Sequence, residues 1–236
     1  RVIAVSDAAA ANYPGLSQMI VVIHNGVDLE HFARDQVAGG IHKVLDVREK
    51  STATVGFMGR VVRWKGIDRL LDAAEMILAA GHRPTFVIMG ENPNNSSEDL
   101  LQMYKDSVRD RCLSRHVLFA GFQKDVRPIL VDLDLVVVPS ITPDPCPRSV
   151  IESLALGVPV VGSDTGGIPE LVIDGTTGLL SKAGDAADLA RKILCLLESK
   201  CCWQKMSLAA RESVERKHDA SRVADRIQEV LLESAT

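Results

Sequence analysis

Residues Val137–Leu180 read VVPSITPDPCPRSVIESLALGVPVVGSDTGGIPELVIDGTTGLL. A buried-strand run enters a Pro-rich loop that carries Asp144. A helix opened by Arg148 and Ser149 follows, then a second strand, a Gly166-Gly167 turn and the acid Glu170. Asp144 and Glu152 are separated by seven residues, one on the loop before the helix and one a turn inside it. A helix N-terminus presents free N–H groups and partial positive charge, which suit an anionic phosphate. Carboxylates beside such a site do not hold the phosphate. They suit neutral hydroxyls, and a phosphate with two polyols is the outline of a nucleotide sugar.

On either side of this stretch, strands and helices alternate. Strand-like runs are Thr54–Met58, Thr85–Met89, Val117–Phe119, Leu135–Val138, Val158–Gly162 and a short Gly178–Leu180. Helical patterns lie at Ile67–Ala80, Ser97–Cys112, Val126–Val131, Ser149–Leu156 and Ala186–Ser199, with a solvated turn at Asn92–Ser97. Such alternation predicts an α/β fold, a Rossmann-like parallel sheet with helices on both faces. Ligands of such sheets bind beyond the C-terminal strand ends, at a topological switch point. The acids and glycines of the opening stretch fall just after strands, on that rim.

These residues resemble the donor-site signature of the retaining glycosyltransferases of family 4, which have two Rossmann-like domains (the GT-B fold). The matching positions are Pro139-Ser140, Asp144, Glu152, Ala155, Gly157, Pro159-Val160-Val161, Gly166-Gly167, Glu170, Gly175 and Gly178. Upstream, Gly59-Arg60, Lys65-Gly66 and His24–Asp28 (HNGVD) continue the match in order. The family's first Glu is Asp144 here, one methylene shorter, and its Phe-Gly is Cys146-Pro147.

The resemblance implies the C-terminal, nucleotide-sugar-binding half of such an enzyme. It makes residues 1–24 a remnant of the N-terminal, acceptor-binding domain and 25–53 an interdomain linker and loop, polar over Ala33–Ser51. Residues 54–202 become the donor-binding domain, and 203–236 become C-terminal helices broken near His218-Asp219 that cross back to the N-terminal domain. An N-terminus that opens on a strand-like run, without Met, is read as a fragment's. Its segment Arg1–His24 is expected to pack on the tail stripe Val223, Ile227, Val230 and Leu231, or to self-associate.

Individual residues then take roles. Arg60 and Lys65 follow the first strand, flanked by Gly59 and Gly66. Two fixed cations five residues apart bracket a diphosphate, Arg as a planar fork and Lys as a point charge. Arg63, between them, is expected in solvent. By resemblance, Glu152 binds the ribose hydroxyls and Asp144 the hydroxyls of the transferred sugar. Gly121, Phe122 and Gln123 read the base through backbone groups. Pro147 removes one amide donor, leaving those of Arg148, Ser149 and Val150. Gly166 and Gly167 let backbone approach a ligand, and Glu170 either braces that loop or meets the donor. Cys146 is expected to be accessible at the donor site, its thiol activated by the helix end and Arg148. His24, His116 and His218 are isolated in sequence and are not read as catalytic.

Composition sets the outer bounds. The 236 residues are 46% apolar, 25% charged and 4% aromatic, with net charge −4. Too few aromatics and the acidic balance speak against nucleic-acid binding. Five cysteines without paired spacing fit a reducing, cytoplasmic setting. No run reaches a membrane span and no signal-peptide layout is present. Peripheral membrane association of a full-length enzyme stays open.

The activity expected is therefore transfer of a sugar from a nucleoside-diphosphate sugar, without metal or other cofactor, to a sugar, lipid or other acceptor held by the N-terminal domain. Arg60, Lys65 and Asp144 serve the chemical step, and the fragment alone transfers nothing. The rival readings are a non-catalytic nucleotide-binding or regulatory module and a sugar-nucleotide epimerase of the same fold.

Overall fold

The computed structural model describes residues 1–45, 53–94 and 97–235. The expected loop over 33–51 and the turn over 92–97 lie partly outside those residues.

The chain opens with β1 (Val2–Ala4), α1 (Asp7–Ala10) and β2 (Ile20–Val22). The two strands pair in parallel, Val2 beside Ile20, as a sheet of their own. A single helical turn, α2 (Ile41–Val44), precedes the main sheet. That sheet is built from β3 (Thr54–Met58), α3 (Ile67–Ala79), β4 (Thr85–Met89), α4 (Leu100–Asp110), β5 (Val117–Gly121) and α5 (Arg127–Leu130). It continues through β6 (Leu135–Val138), α6 (Arg148–Ala155), β7 (Val160–Ser163), α7 (Ile168–Leu171) and β8 (Gly178–Ser181). Three longer helices, α8 (Ala186–Glu198), α9 (Lys200–Lys217) and α10 (Ala220–Ala235), complete the chain.

All neighbours in the six-stranded sheet are parallel, in the order β5-β4-β3-β6-β7-β8. The order reverses between β3 and β6, so the switch point lies there. Strand alternation sends side chains to both faces. Phe86 and Ile88 of β4 join one core with Val55 and Phe57 of β3, covered by α3 and α8. Val87 and Met89 join the other with Val136 and Val138 of β6, covered by α6 and α9.

Element ends follow local chemistry. The helix expected from Ser97 starts at Leu100, where the Asp99 side chain accepts from the Gln102 amide. The strand expected from Val158 starts at Val160, after Pro159, which has no N–H for the ladder. The expected helix Val126–Val131 is one turn. Sequence periodicity missed α7, which is too short to show any.

A break drawn between residues 202 and 203 falls inside α9. That helix lies on α6, with Met206, Ala210 and Val214 buried. Ser207 Oγ donates to Gly157 O at 2.6 Å, and Arg211 donates to Phe32 O at 2.6 Å and Ala155 O at 2.8 Å. The break at His218 is where sequence put it, and the bridge Val27–Asp219 ties it to the linker. On α10, Val230 is buried, Val223 and Ile227 are half-buried and Leu231 is exposed. Glu233 near its end pairs with Arg1 at 3.3 Å.

Candidate functional site

At the switch point the chain leaves β3 through Gly59 and Arg60 and makes a 3-10 turn over Arg63–Lys65. Gly66 ends the turn at φ 72°, and a Cβ there would stand 1.9 Å from Pro139 O, so only glycine fits. The Trp64 carbonyl accepts from the Ile141 amide at 2.9 Å. These contacts dock the loop after β3 on the loop after β6. The two charged groups that sequence assigned to different parts of a ligand thereby meet. Lys65 Nζ donates to Asp144 Oδ2 at 2.6 Å, and both side chains are nearly enclosed. The Ser140 hydroxyl lies 3.5 Å from the same carboxylate oxygen.

Two cations share one aromatic ring. Lys65 Nζ lies 4.8 Å and Arg60 Cζ 5.8 Å from the Trp64 ring centroid, both within cation–π reach. Arg63 points away, as expected, and pairs with Glu98 at 2.8 Å on the exposed surface.

α6 begins at Arg148 with Pro147 as its N-cap, and no side chain caps it. The Val150 amide, one of the three expected donors, is spent on Pro147 O at 3.1 Å. Those of Arg148 and Ser149 have no protein acceptor among the described residues. Glu152, one turn on, is largely buried. Burial raises its carboxyl above the ordinary range, against the Arg148 guanidinium, 3.2 Å away, which lowers it. The exposed Arg148 is screened by solvent and offsets only part of that cost.

Cys146 departs from expectation. It is buried among apolar residues of the second core, and burial pushes its thiol pKa up instead of down. The helix end and Arg148 do not reach a side chain that points inward. Its carbonyl accepts from Asn25 Nδ2 at 3.1 Å.

Gly166 sits at φ 59° with the Asp144 backbone against it, where a Cβ would come within 2.4 Å of Asp144 N and O. The Gly167 amide donates to Asp144 O at 2.8 Å. The Gly-Gly turn thus packs on the acidic loop. Glu170 faces the other way. Its carboxylate accepts from the amides of Asp7 at 2.8 Å and Ala8 at 2.9 Å, and pairs with His24 Nε2 at 2.8 Å. Burial alone would raise its pKa. The Ala8 amide, His24 and the Asp7 amide outweigh that and hold it below the usual carboxylate range. His24 meets His218 edge to face at 5.7 Å, and His218 Nδ1 lies 3.1 Å from Asn25 O. These partners lie far apart in sequence, which is why the histidines look isolated there.

Beside the cations, a cleft of about 430 Å³ is lined by Gly59, Arg60, Glu91, Phe122 and Gln123. Phe122 is 67% exposed on its rim. The Phe122 amide donates to Glu91 Oε1 at 3.3 Å, and Gln123 Nε2 donates to Ala120 O at 2.6 Å. Glu91, on the loop after β4, has no motif that sequence could have flagged. A larger hollow of about 640 Å³ beside Arg69, Asp72, Lys182 and Asp185 contains none of the expected site residues. Among the described residues no three His, Cys, Asp or Glu side chains converge as a metal site. Nor is any helix among them long and apolar enough to cross a membrane.

Comparison with known proteins agrees with the fold. The family described as "Glycosyl transferases group 1" matches residues 52–199. The amylovoran biosynthesis glycosyltransferase AmsK of Erwinia amylovora is 28% identical over 181 residues, 74% of this chain and 43% of that protein. The D-inositol 3-phosphate glycosyltransferase of Mycobacterium sp. (strain JLS) is 34% identical over 184 residues, 75% of this chain and 39% of that protein. The chain thus spans less than half the length of these relatives. Among solved structures, Anabaena HepE in complex with UDP-glucose superposes with a TM-score of 0.88 at 26% identity, over 98% of this chain and 63% of that one.

Proposed function

The chain belongs to the glycosyl transferases group 1 family, and from that premise we propose that it is the donor-binding part of a retaining, nucleotide-sugar-dependent glycosyltransferase. The observation that carries the reading is a convergence at one switch point. Arg60 and Lys65 lie on the loop that leaves β3. The adjacent strand β6 leads through the Asp144 loop to the free amides of α6, with the largely buried Glu152 one turn inside. The Lys65–Asp144 bond joins the two loops. The UDP-glucose complex of HepE supports a uridine nucleotide as the probe.

In this reading the diphosphate lies between the Arg60–Lys65 pair and the Arg148 and Ser149 amides. Glu152 accepts from ribose hydroxyls, which repays the cost of burying its charge. The base occupies the cleft beside Gly121, Phe122 and Gln123. During transfer the bond between the anomeric carbon and the diphosphate oxygen breaks, the acceptor's hydroxyl oxygen bonds to that carbon and gives up its proton to the departing diphosphate, and negative charge grows on that leaving group as its bond opens. Fixed cations and amides aimed at that charge lower the barrier. Asp144 contributes by holding Lys65. Retention, independence of metal, and an acceptor bound by chain outside these residues complete the proposal, and the 236-residue chain alone is expected to bind donor and transfer nothing.

Calorimetric titration of the chain with UDP and UDP-glucose, with and without chelator, is the test. Binding of both that survives chelation is expected. Binding that vanishes with chelator would remove the metal-free claim, and no binding of either would remove the donor-site reading.

A further inference from the structure

We propose that Trp64 is a positioning residue that holds Arg60 and Lys65 together on its indole so that both charges meet one diphosphate. The proposal rests on the reading of these cations as diphosphate ligands. It adds a residue that carries no charge and belongs to no motif in the sequence.

Lys65 Nζ and Arg60 Cζ stand 4.8 and 5.8 Å from the same ring centroid. Lys65 has a second anchor in Asp144. Arg60 has no carboxylate partner among the described residues, so the ring is the contact that restrains it. Two cations brought together repel. The negative face of an aromatic quadrupole attracts both cations without adding a second carboxylate to the one that already pairs with Lys65, so the charge of Arg60 stays free for an anion. Trp64 is also well fixed for the task. Its carbonyl is bonded to the Ile141 amide at 2.9 Å, and the backbone of the next turn residue, Gly66, lies against Pro139 O. Long, flexible cations that are already held lose less freedom when an anion binds.

The experiment compares the 236-residue chain with Trp64→Ala, Trp64→Leu and Trp64→Phe. UDP and UDP-glucose are titrated by calorimetry, and uridine by ligand-observed NMR. Circular dichroism reports folding. Both nucleotides are expected to weaken alike, by about tenfold, in Trp64→Ala and Trp64→Leu. Leu keeps apolar bulk without the ring face, so it also serves if Ala fails to fold. Uridine, without phosphate, should change by less than about twofold, and Trp64→Phe should recover most of the UDP affinity. If the unmodified chain binds no UDP, the donor reading fails and this proposal fails with it. If it binds UDP and the Leu variant binds equally well, only the role of Trp64 is overturned. The same holds if uridine weakens as much as UDP, or if Phe does no better than Leu, because Trp64 then acts on the nucleoside or on packing.

Discussion

Lys65 Nζ is bonded to Asp144 Oδ2 at 2.6 Å, across two loops that leave adjacent parallel strands, with only 11% and 7% of the two side chains exposed. Taking one partner away leaves the other enclosed and uncompensated, which costs more than the pair itself contributes. Lys65→Met is therefore expected to lower unfolding free energy by roughly 3–5 kcal/mol. Adding Asp144→Asn to Lys65→Met should return much of that loss. Urea unfolding of the single and double variants measures the coupling. Losses that simply add would mean that the two groups do not depend on each other.

Glu152 predicts an opposition between stability and binding. Burial raises its folded pKa above the ordinary carboxylate value, with Arg148 opposing. Below the ordinary value the group is protonated in both states and costs nothing. As pH rises through the window up to the folded value, charging the buried carboxyl removes stability, and above that value the full cost remains. Glu152→Gln should therefore stabilise the chain at pH 7 and leave it unchanged at about pH 3. If Glu152 holds ribose, the same variant should weaken UDP binding by roughly 1.5–3 kcal/mol. A variant that is more stable and binds UDP as before would retire the ribose contact.

The contrast between Glu152 and Cys146 shows what the sequence could carry. Strands β3, β4 and β6 were legible to the residue because apolar runs bounded by Gly, Pro and Asp leave little choice of ends. Glu152 was legible because its neighbours Val150, Ile151 and Leu154 force the helix inward. Cys146 was not legible. A loop residue before a helix can point either way; here the side chain packs into the second core and the carbonyl accepts from Asn25, far along the chain. The same limit applies to Lys65 with Asp144, and to Glu170 with α1. Each pairing joins segments that only the tertiary fold brings together, and no local spacing encodes it.

Cys146 accordingly should resist alkylation. Its thiol is buried and its pKa is raised by that burial, so little reactive thiolate is presented. Cys112, Cys195, Cys201 and Cys202 are exposed and should react first. Iodoacetamide labelling read by mass spectrometry should leave Cys146 unmodified until the chain unfolds, with or without saturating UDP. Labelling at a rate comparable to the exposed four, slowed by UDP, would return Cys146 to the ligand face.

The first 24 residues are tied to the rest through Glu170. The Glu170 carboxylate receives the first two amides of α1 and the ring of His24, so one side chain joins β1, α1 and β2 to the turn that packs on Asp144. A carboxylate at a helix N-terminus meets both the free amides and the favourable end of the dipole. Burial opposes its charge, but the Ala8 amide, His24 and the Asp7 amide prevail and keep the folded pKa below the ordinary value. The stabilisation is then fully present above the ordinary carboxylate range and is lost as pH falls through the folded value. Glu170→Ala should remove it at every pH. Hydrogen exchange should show protection of the Asp7 and Ala8 amides falling in that variant at pH 7, while β3 and β4 keep theirs. The unmodified chain should lose the same protection, relative to intrinsic exchange, only in acid. Equal protection of Asp7 and Ala8 in Glu170→Ala and the unmodified chain would show that α1 is held by its packing alone, and Glu170 would again be available to a ligand.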